Sequence, residues 1–168
     1  MGDVFSFVSG LYFRGKLTYA RQFARADDAA PEVVDRGVLV ITAGAGLRSP
    51  DTPITLDAFL RFGRTSIDLS NPEYLDPLAS SARAVADAID EESGVVLLGS
   101  IASPKYVDVL LDIFGDRLLF PREFVGRGDM SRGGLLLRSV TAGVELEYVP
   151  VKGAIRRGVR PPRLTPLR

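Results

Sequence analysis

Short apolar runs and helical repeats alternate along this chain. The clearest run, Val-Val-Leu-Leu at residues 95–98, has no polar break and ends at Gly99, which is typical of a strand buried on both faces. Ser103 can then cap a helix that begins at Pro104 and carries apolar residues at helical spacing up to residue 114. A strand, a short loop and a helix in this order form the unit from which open parallel α/β sheets are built.

Similar patterns predict the rest of the fold. Further strands are predicted at residues 3–8, 38–42, 117–120 and 145–149. Further helices are predicted at residues 11–26, 56–62, 76–90 and 135–140, the last with its first turn near residues 129–132. Gly15, inside the first of these helices, indicates either a late start or a partner that packs closely there. We therefore expect an α/β fold with three α/β/α layers and a mainly parallel, Rossmann-like sheet of about five strands.

The charges are distributed unevenly although the 168 residues carry no net charge. Residues 1–116 contain 10 basic and 17 acidic side chains, whereas residues 117–168 contain 11 basic and 4 acidic ones. We expect one domain over residues 1–151, followed by a Pro- and Arg-rich basic tail over 152–168 that is mobile or wraps the surface. The basic C-terminal third is either a surface for an anionic partner or an ordinary solvated face.

The composition excludes several kinds of chemistry. Without cysteine or histidine the chain has no disulfide, no thiolate nucleophile and no imidazole base, and any metal site has to be all-oxygen. The sequence indicates no metal and no particular cofactor. No apolar run approaches the roughly 20 residues of a membrane span and no signal pattern is present, so we expect a cytoplasmic protein without membrane contact.

If the strands are parallel, the loops that follow them meet at one edge of the sheet, where such folds bind ligands. Their helix starts, hydroxyls and cations suit an anion or a sugar phosphate. The candidate ligand-binding residues are Ser9, Gly10, Arg14, Thr42, Gly44, Gly46, Gly99, Ser100, Ser103, Lys105, Arg127 and Arg132. Structural alternatives remain for several: the glycines at 44 and 46 can simply turn the chain, and the serines can be helix caps.

Asp129 is the candidate catalytic residue, because its carboxylate stands between two Gly–Arg pairs where a helix begins and can act as a base or orient a water. Alternatively, Asp129 caps that helix or pairs with Arg127 or Arg132. We expect these three residues to face the same cleft as residues 99–103, since a right-handed crossover places the carboxyl ends of two parallel strands side by side.

The motifs LYFRGKLTYAR at residues 11–21 and VLVITAGAGLRSPDTPIT at 38–55 precede a late glycine-rich loop that opens a helix. In this order the chain, over residues 8–137, resembles Rossmann-like bacterial domains of unknown function. Those are similar to the YaaA peroxide-stress proteins and, more remotely, to the uracil-DNA-glycosylase-like domains of archaeosine synthases. The resemblance implies a nucleobase, nucleoside or nucleic-acid ligand at the edge of the sheet.

Two hypotheses follow. The first is a nucleotide- or nucleic-acid-related enzyme whose pocket lies over the loops named above. The second is a non-catalytic module that binds nucleic acid or a protein through its basic C-terminal third. The oligomeric state is not readable from the sequence.

Overall fold

A computed structural model describes residues 1–25, 31–34 and 36–164. Its helices are α1 Gly2–Val8, α2 Gly10–Phe23, α3 Pro31–Val34, α4 Leu56–Arg64, α5 Pro72–Ala88, α6 Pro104–Phe114 and α7 Asp129–Ala142. Its strands are β1 Val40–Thr42, β2 Gly46–Arg48, β3 Val95–Val96, β4 Leu118–Pro121 and β5 Tyr148–Pro150. The chain is thus a mixed α/β protein, as predicted.

The strands of the described residues form two separate sheets. β1 and β2 make an antiparallel hairpin, and the second sheet has the order β3-β4-β5. Only β3 and β4 are parallel, and β5 pairs antiparallel with β4. The predicted mainly parallel single sheet is therefore wrong, and its three-layer arrangement is not confirmed. The strand predicted at residues 95–98 was expected to be covered on both faces inside the sheet, but β3 comprises only Val95–Val96 and lies at an edge of its sheet.

The predicted first strand, residues 3–8, is the helix α1. Its apolar residues 4, 5, 7 and 8 are spaced i, i+1, i+3 and i+4, which fits one face of a helix as well as a buried strand. Packing decides between the two, because the Phe5 ring meets Phe13, Phe59 and Phe62 at centroid distances of 5.6, 6.0 and 6.3 Å. A helix brings one ring into this cluster and leaves Phe7 exposed.

The loop after residue 42 closes a hairpin instead of leading into a crossover helix. The buried Thr42 hydroxyl donates to the Gly46 carbonyl over 2.8 Å and accepts from the Ala45 N–H over 3.1 Å. Gly46 has φ +70°, and a β-carbon at this position would point at Pro77 and Ser81 of α5. Thr42 and Gly46 therefore build the hairpin and hold it against α5, which explains why β1 pairs locally.

Helix α5 begins earlier than predicted. Asn71 is its N-cap, with a side-chain oxygen that accepts from the Glu73 N–H over 3.2 Å, and Pro72 is its first residue. The predicted start at Asp76–Pro77 lies inside the helix. Two Asx–Pro pairs five positions apart both fit a helix start, and the first begins the helix. It thereby includes Tyr74, whose buried hydroxyl donates to the Lys105 carbonyl over 3.1 Å.

Other predicted elements are confirmed. Helix α6 has the predicted bounds, α4 begins after the Thr55 cap, and β3 and β4 are neighbours through the α6 crossover. Apolar residues of α5, α6, β4 and α7 share one core, whose fully buried members include Leu78, Val107, Leu118, Phe120 and Leu136.

The tail wraps the surface as far as residue 164. Val151 is buried, and an Arg156 guanidinium nitrogen lies 2.8 Å from a carboxylate oxygen of Asp108 on α6. The backbone at residues 158–159 then packs against Val125 and Gly126, beside the loop that leads into α7.

Candidate functional site

Helices α2 and α7 cross in direct backbone contact at two glycines. A β-carbon placed on Gly15 would lie 2.9 Å from the Gly133 carbonyl oxygen, and one placed on Gly133 would lie 3.0 Å from the Tyr12 α-carbon. The sequence allowed two interpretations of Gly15, a late helix start or a closely packed partner, and the close packing is confirmed. The crossing brings the first turns of both helices together.

Five polar side chains meet beside this crossing, and we call them the polar cluster. They come from α2, α6 and α7 and are Tyr12, Lys16, Tyr106, Asp129 and Arg132. The Tyr12 hydroxyl donates to the Leu98 carbonyl over 3.0 Å, and the Tyr106 hydroxyl donates to the Ser100 carbonyl over 2.9 Å. The cluster is thus tied to the loop that follows β3.

Arg132 is the buried cation of the cluster, with 7% of its surface exposed. Its Nε and one terminal nitrogen donate to the Phe124 carbonyl over 3.3 Å each, and its guanidinium carbon lies 5.5 Å from the centroid of the Phe124 ring. The other terminal nitrogen lies 3.4 Å from a carboxylate oxygen of Asp129, whose side chain is 67% exposed. A weak contact with a solvated carboxylate leaves much of this positive charge uncompensated.

Asp129 itself is a partner of Arg132 and not a cap. Gly128 is the N-cap of α7, and the cap position makes no side-chain hydrogen bond. Asp129 lies in the first helical turn, where a negative charge is favoured by the helix dipole. Most of its carboxylate remains accessible for other contacts.

Lys16 is the second cation of the cluster. Its Nζ lies 4.6 Å from the centroid of the Tyr12 ring and 5.5 Å from that of Phe13. Burial lowers the pKa of its ammonium group, and the negative charge of Asp129 acts in the opposite direction. Within the described part of the chain the side-chain amine of Lys16 makes no hydrogen bond and no ion pair.

The two phenols of the cluster stay protonated at neutral pH. Burial raises the pKa of Tyr12 and that of Tyr106, and the positive charge of Arg132 opposes this shift at both. Each hydroxyl donates its single proton to a backbone carbonyl, so only its oxygen lone pairs are left for another partner.

A cavity of about 510 Å³ adjoins the cluster, and Lys16 and Tyr106 form part of its lining. Its walls include residues 38–43, which contain β1, and residues 93–99, which contain β3. Most of the remaining lining is apolar, with Phe5, Phe13 and Ile67 among it. This volume and this lining are those of pockets that enclose small organic ligands.

Some of the predicted site residues are brought together at this place. Ser9, Thr42 and Gly99 line the cavity, Ser100 holds Tyr106 through its carbonyl, and Asp129 and Arg132 belong to the cluster. Ser103 is the N-cap residue of α6, although its side chain makes no capping hydrogen bond.

Other predicted site residues lie elsewhere. Arg14 is exposed on the opposite side of α2, Gly10 is the exposed first residue of α2 with φ +70°, and Lys105 is exposed on α6. Gly44 lies beside Thr65, and Gly46 faces α5. Arg127 donates to the Glu123 carbonyl over 3.0 Å and to the Ser131 hydroxyl over 3.2 Å.

Sequence reasoning did not select Lys16. The available signal was its position four residues after Tyr12 and one after Gly15, which places all three on neighbouring turns of one helix. Because residues four apart lie on one face of a helix, Lys16 shares the face of Tyr12.

Among the described residues no group of His, Cys, Asp and Glu is arranged to hold a metal ion. In the same part of the chain no helix has the length and apolar character needed to cross a membrane. Comparisons with models of protein families, with curated proteins and with solved structures give no match to this chain.

Proposed function

We propose that this protein binds a small molecule with a negatively charged group and a flat apolar part, as in a nucleotide. One observation carries the proposal: Lys16 is half-buried and Arg132 is buried, and the only ion pair that either forms with the described residues is the 3.4 Å contact of Arg132 with the largely solvated Asp129. Buried charges in proteins are normally paired. An anionic ligand would supply the missing negative charge.

The surroundings fit the two parts of such a ligand. The hydroxyls of Tyr12 and Tyr106 lie next to the cations, and each would donate to the ligand only by releasing its backbone carbonyl. The cavity beyond them, of about 510 Å³, has the volume for a base-sized ring and includes the rings of Phe5 and Phe13. A nucleobase is also the ligand that the resemblance to the YaaA group implies. In this complex Asp129 is the carboxylate nearest the charged group, and we propose it as the general base of any reaction there.

The test is titration calorimetry with nucleoside monophosphates and with the matching uncharged nucleosides. We expect Lys16→Gln to weaken monophosphate binding about tenfold or more, because a charge-assisted hydrogen bond contributes roughly 1.5–3 kcal/mol. Asp129→Asn removes a repelling charge and is expected to tighten binding. The matched control is Lys105→Gln, which changes an exposed lysine outside the cluster and should leave affinity unchanged. Equal affinity for Lys16→Gln and the natural protein would contradict the proposal.

A nucleic-acid-binding module remains the second proposal, and the exposed arginines of the tail support it. Three cations of the C-terminal third form ion pairs with carboxylates: Arg122 with Glu147 at 2.9 Å, Lys152 with Asp116 at 3.1 Å and Arg156 with Asp108 at 2.8 Å. Arg157, Arg160 and Arg163, by contrast, are exposed and form no ion pair with the described residues. These three would contact phosphates.

Changing all three arginines to glutamine keeps the packed part of the tail. If they bind phosphates, the slope of log K against log salt should fall by about 3, roughly one for each contact. Fluorescence anisotropy with a labelled oligonucleotide at several salt concentrations measures this slope. An unchanged slope, or no binding by the natural protein at low salt, would end the second proposal.

A further inference from the structure

The amine of Lys16 has surroundings unlike those of the other two lysines. Lys105 and Lys152 are exposed, whereas Lys16 is half-buried, lines the cavity and has its Nζ next to two aromatic rings. In the described part of the chain no acceptor binds this amine, so its lone pair, once deprotonated, is free to react with a molecule in the cavity.

The same surroundings favour the reactive form of the amine. Burial lowers the pKa of Lys16, which increases the neutral fraction at a given pH, although the charge of Asp129 and the two rings act the other way. A neutral lysine amine in an apolar site is the form that adds to carbonyl carbons.

A hydroxyl or carboxylate group lies on each of the three helices α2, α6 and α7 around the amine. Tyr12 lies one turn before Lys16 on α2, Tyr106 lies on α6, and Asp129 lies on α7 beside Arg132. Addition of an amine to a carbonyl followed by loss of water needs a group that accepts a proton and a group that donates one. The solvated carboxylate of Asp129 can accept the proton and then return it, so this one group serves both steps.

We infer that Lys16 forms an imine with aldehydes or ketones that carry an anionic group. The Nζ lone pair attacks the carbonyl carbon, and a proton passes from nitrogen to oxygen to give the carbinolamine. The hydroxyl then leaves as water with the second proton of the amine while the C=N bond forms, so no oxidant or reductant is needed. The inference rests on the anion-binding part of the proposed function, in which Arg132 holds the anionic group.

Pyridoxal 5′-phosphate is the probe, because it joins a ring, a phosphate and an aldehyde. After incubation at neutral pH and reduction with cyanoborohydride, peptide mass spectrometry compares the four amines of the chain: the N-terminus, Lys16, Lys105 and Lys152. We expect the adduct on Lys16 to exceed that on each of the other three several-fold. Pyridoxal without the phosphate should label Lys16 much less.

A companion measurement separates this inference from the proposed function. Pyridoxine 5′-phosphate has no aldehyde, so calorimetry with it reports the anion site alone. Lys16→Arg keeps the charge but forms no imine, and it should still bind this compound while it loses the adduct. Binding of pyridoxine 5′-phosphate with labelling spread over the exposed amines would overturn the imine and keep the anion site. Failure of both measurements would overturn both.

Discussion

Replacing Gly46 with alanine is expected to lower the free energy of unfolding by about 2–5 kcal/mol, the sum of left-handed backbone strain and overpacking. Gly46 has φ +70°, where a β-carbon is disfavoured. That carbon would also overlap the Pro77 carbonyl and the Ser81 hydroxyl, so the hairpin would have to move off α5. The shift would break the 2.8 Å hydrogen bond from the Leu47 N–H to Ser81.

Urea unfolding followed by far-ultraviolet circular dichroism measures this loss, since the chain has no tryptophan. Gly63→Ala is the matched control, because Gly63 lies in α4 with nothing within 4 Å of a new β-carbon. It should raise stability by roughly 0.5–1 kcal/mol through helix propensity. Similar small effects of the two substitutions would show that β1–β2 does not lie against α5 as described.

The glycine pair at 133 and 134 gives the second large prediction. A β-carbon on Gly133 would lie 3.0 Å from the Tyr12 α-carbon and 3.1 Å from the Leu11 carbonyl oxygen. Both are backbone atoms of α2, so no side-chain rotation relieves the contact and the helices must separate. We expect Gly133→Ala to destabilise the protein by about 1–3 kcal/mol. Because α2 carries Lys16, the same change should weaken anion binding.

Gly134→Ala is the control on the neighbouring residue. Its β-carbon would meet only a Leu164 methyl group at 3.6 Å, an ordinary contact. Alanine there should stabilise α7 by up to about 1 kcal/mol. The same unfolding and calorimetric measurements apply, and a Gly133→Ala protein as stable as Gly134→Ala would refute the close crossing of α2 and α7.

The pairing of β3 with β4 could be predicted from the sequence. Residues 95–114 show a strand, a loop and a helix through purely local signals, namely an apolar run, a proline in the first turn and helical spacing. Since a helical crossover between neighbouring strands is right-handed, those signals also predict that β4 lies beside β3. Asp129 and Arg132 are linked to the loop after β3 through Tyr106, whose hydroxyl donates to the Ser100 carbonyl and whose pKa both charges affect; their facing a common cleft with residues 99–103 stays a prediction.

By itself, then, the sequence determined the α/β class, the helices with clear caps and the β3–α6–β4 unit, because each depends on residues close together in the chain. Tertiary structure alone decided the rest. The spacing of residues 3–8 fits a strand and a helix, and only the packing of Phe5 against Phe13, Phe59 and Phe62 selects the helix. The loop after residue 42 was expected to lead away from the sheet, but the close packing of Gly46 against α5 makes it part of a hairpin. Lys16 became a site residue because Gly15 meets Gly133, a contact between positions 118 residues apart that no local pattern specifies.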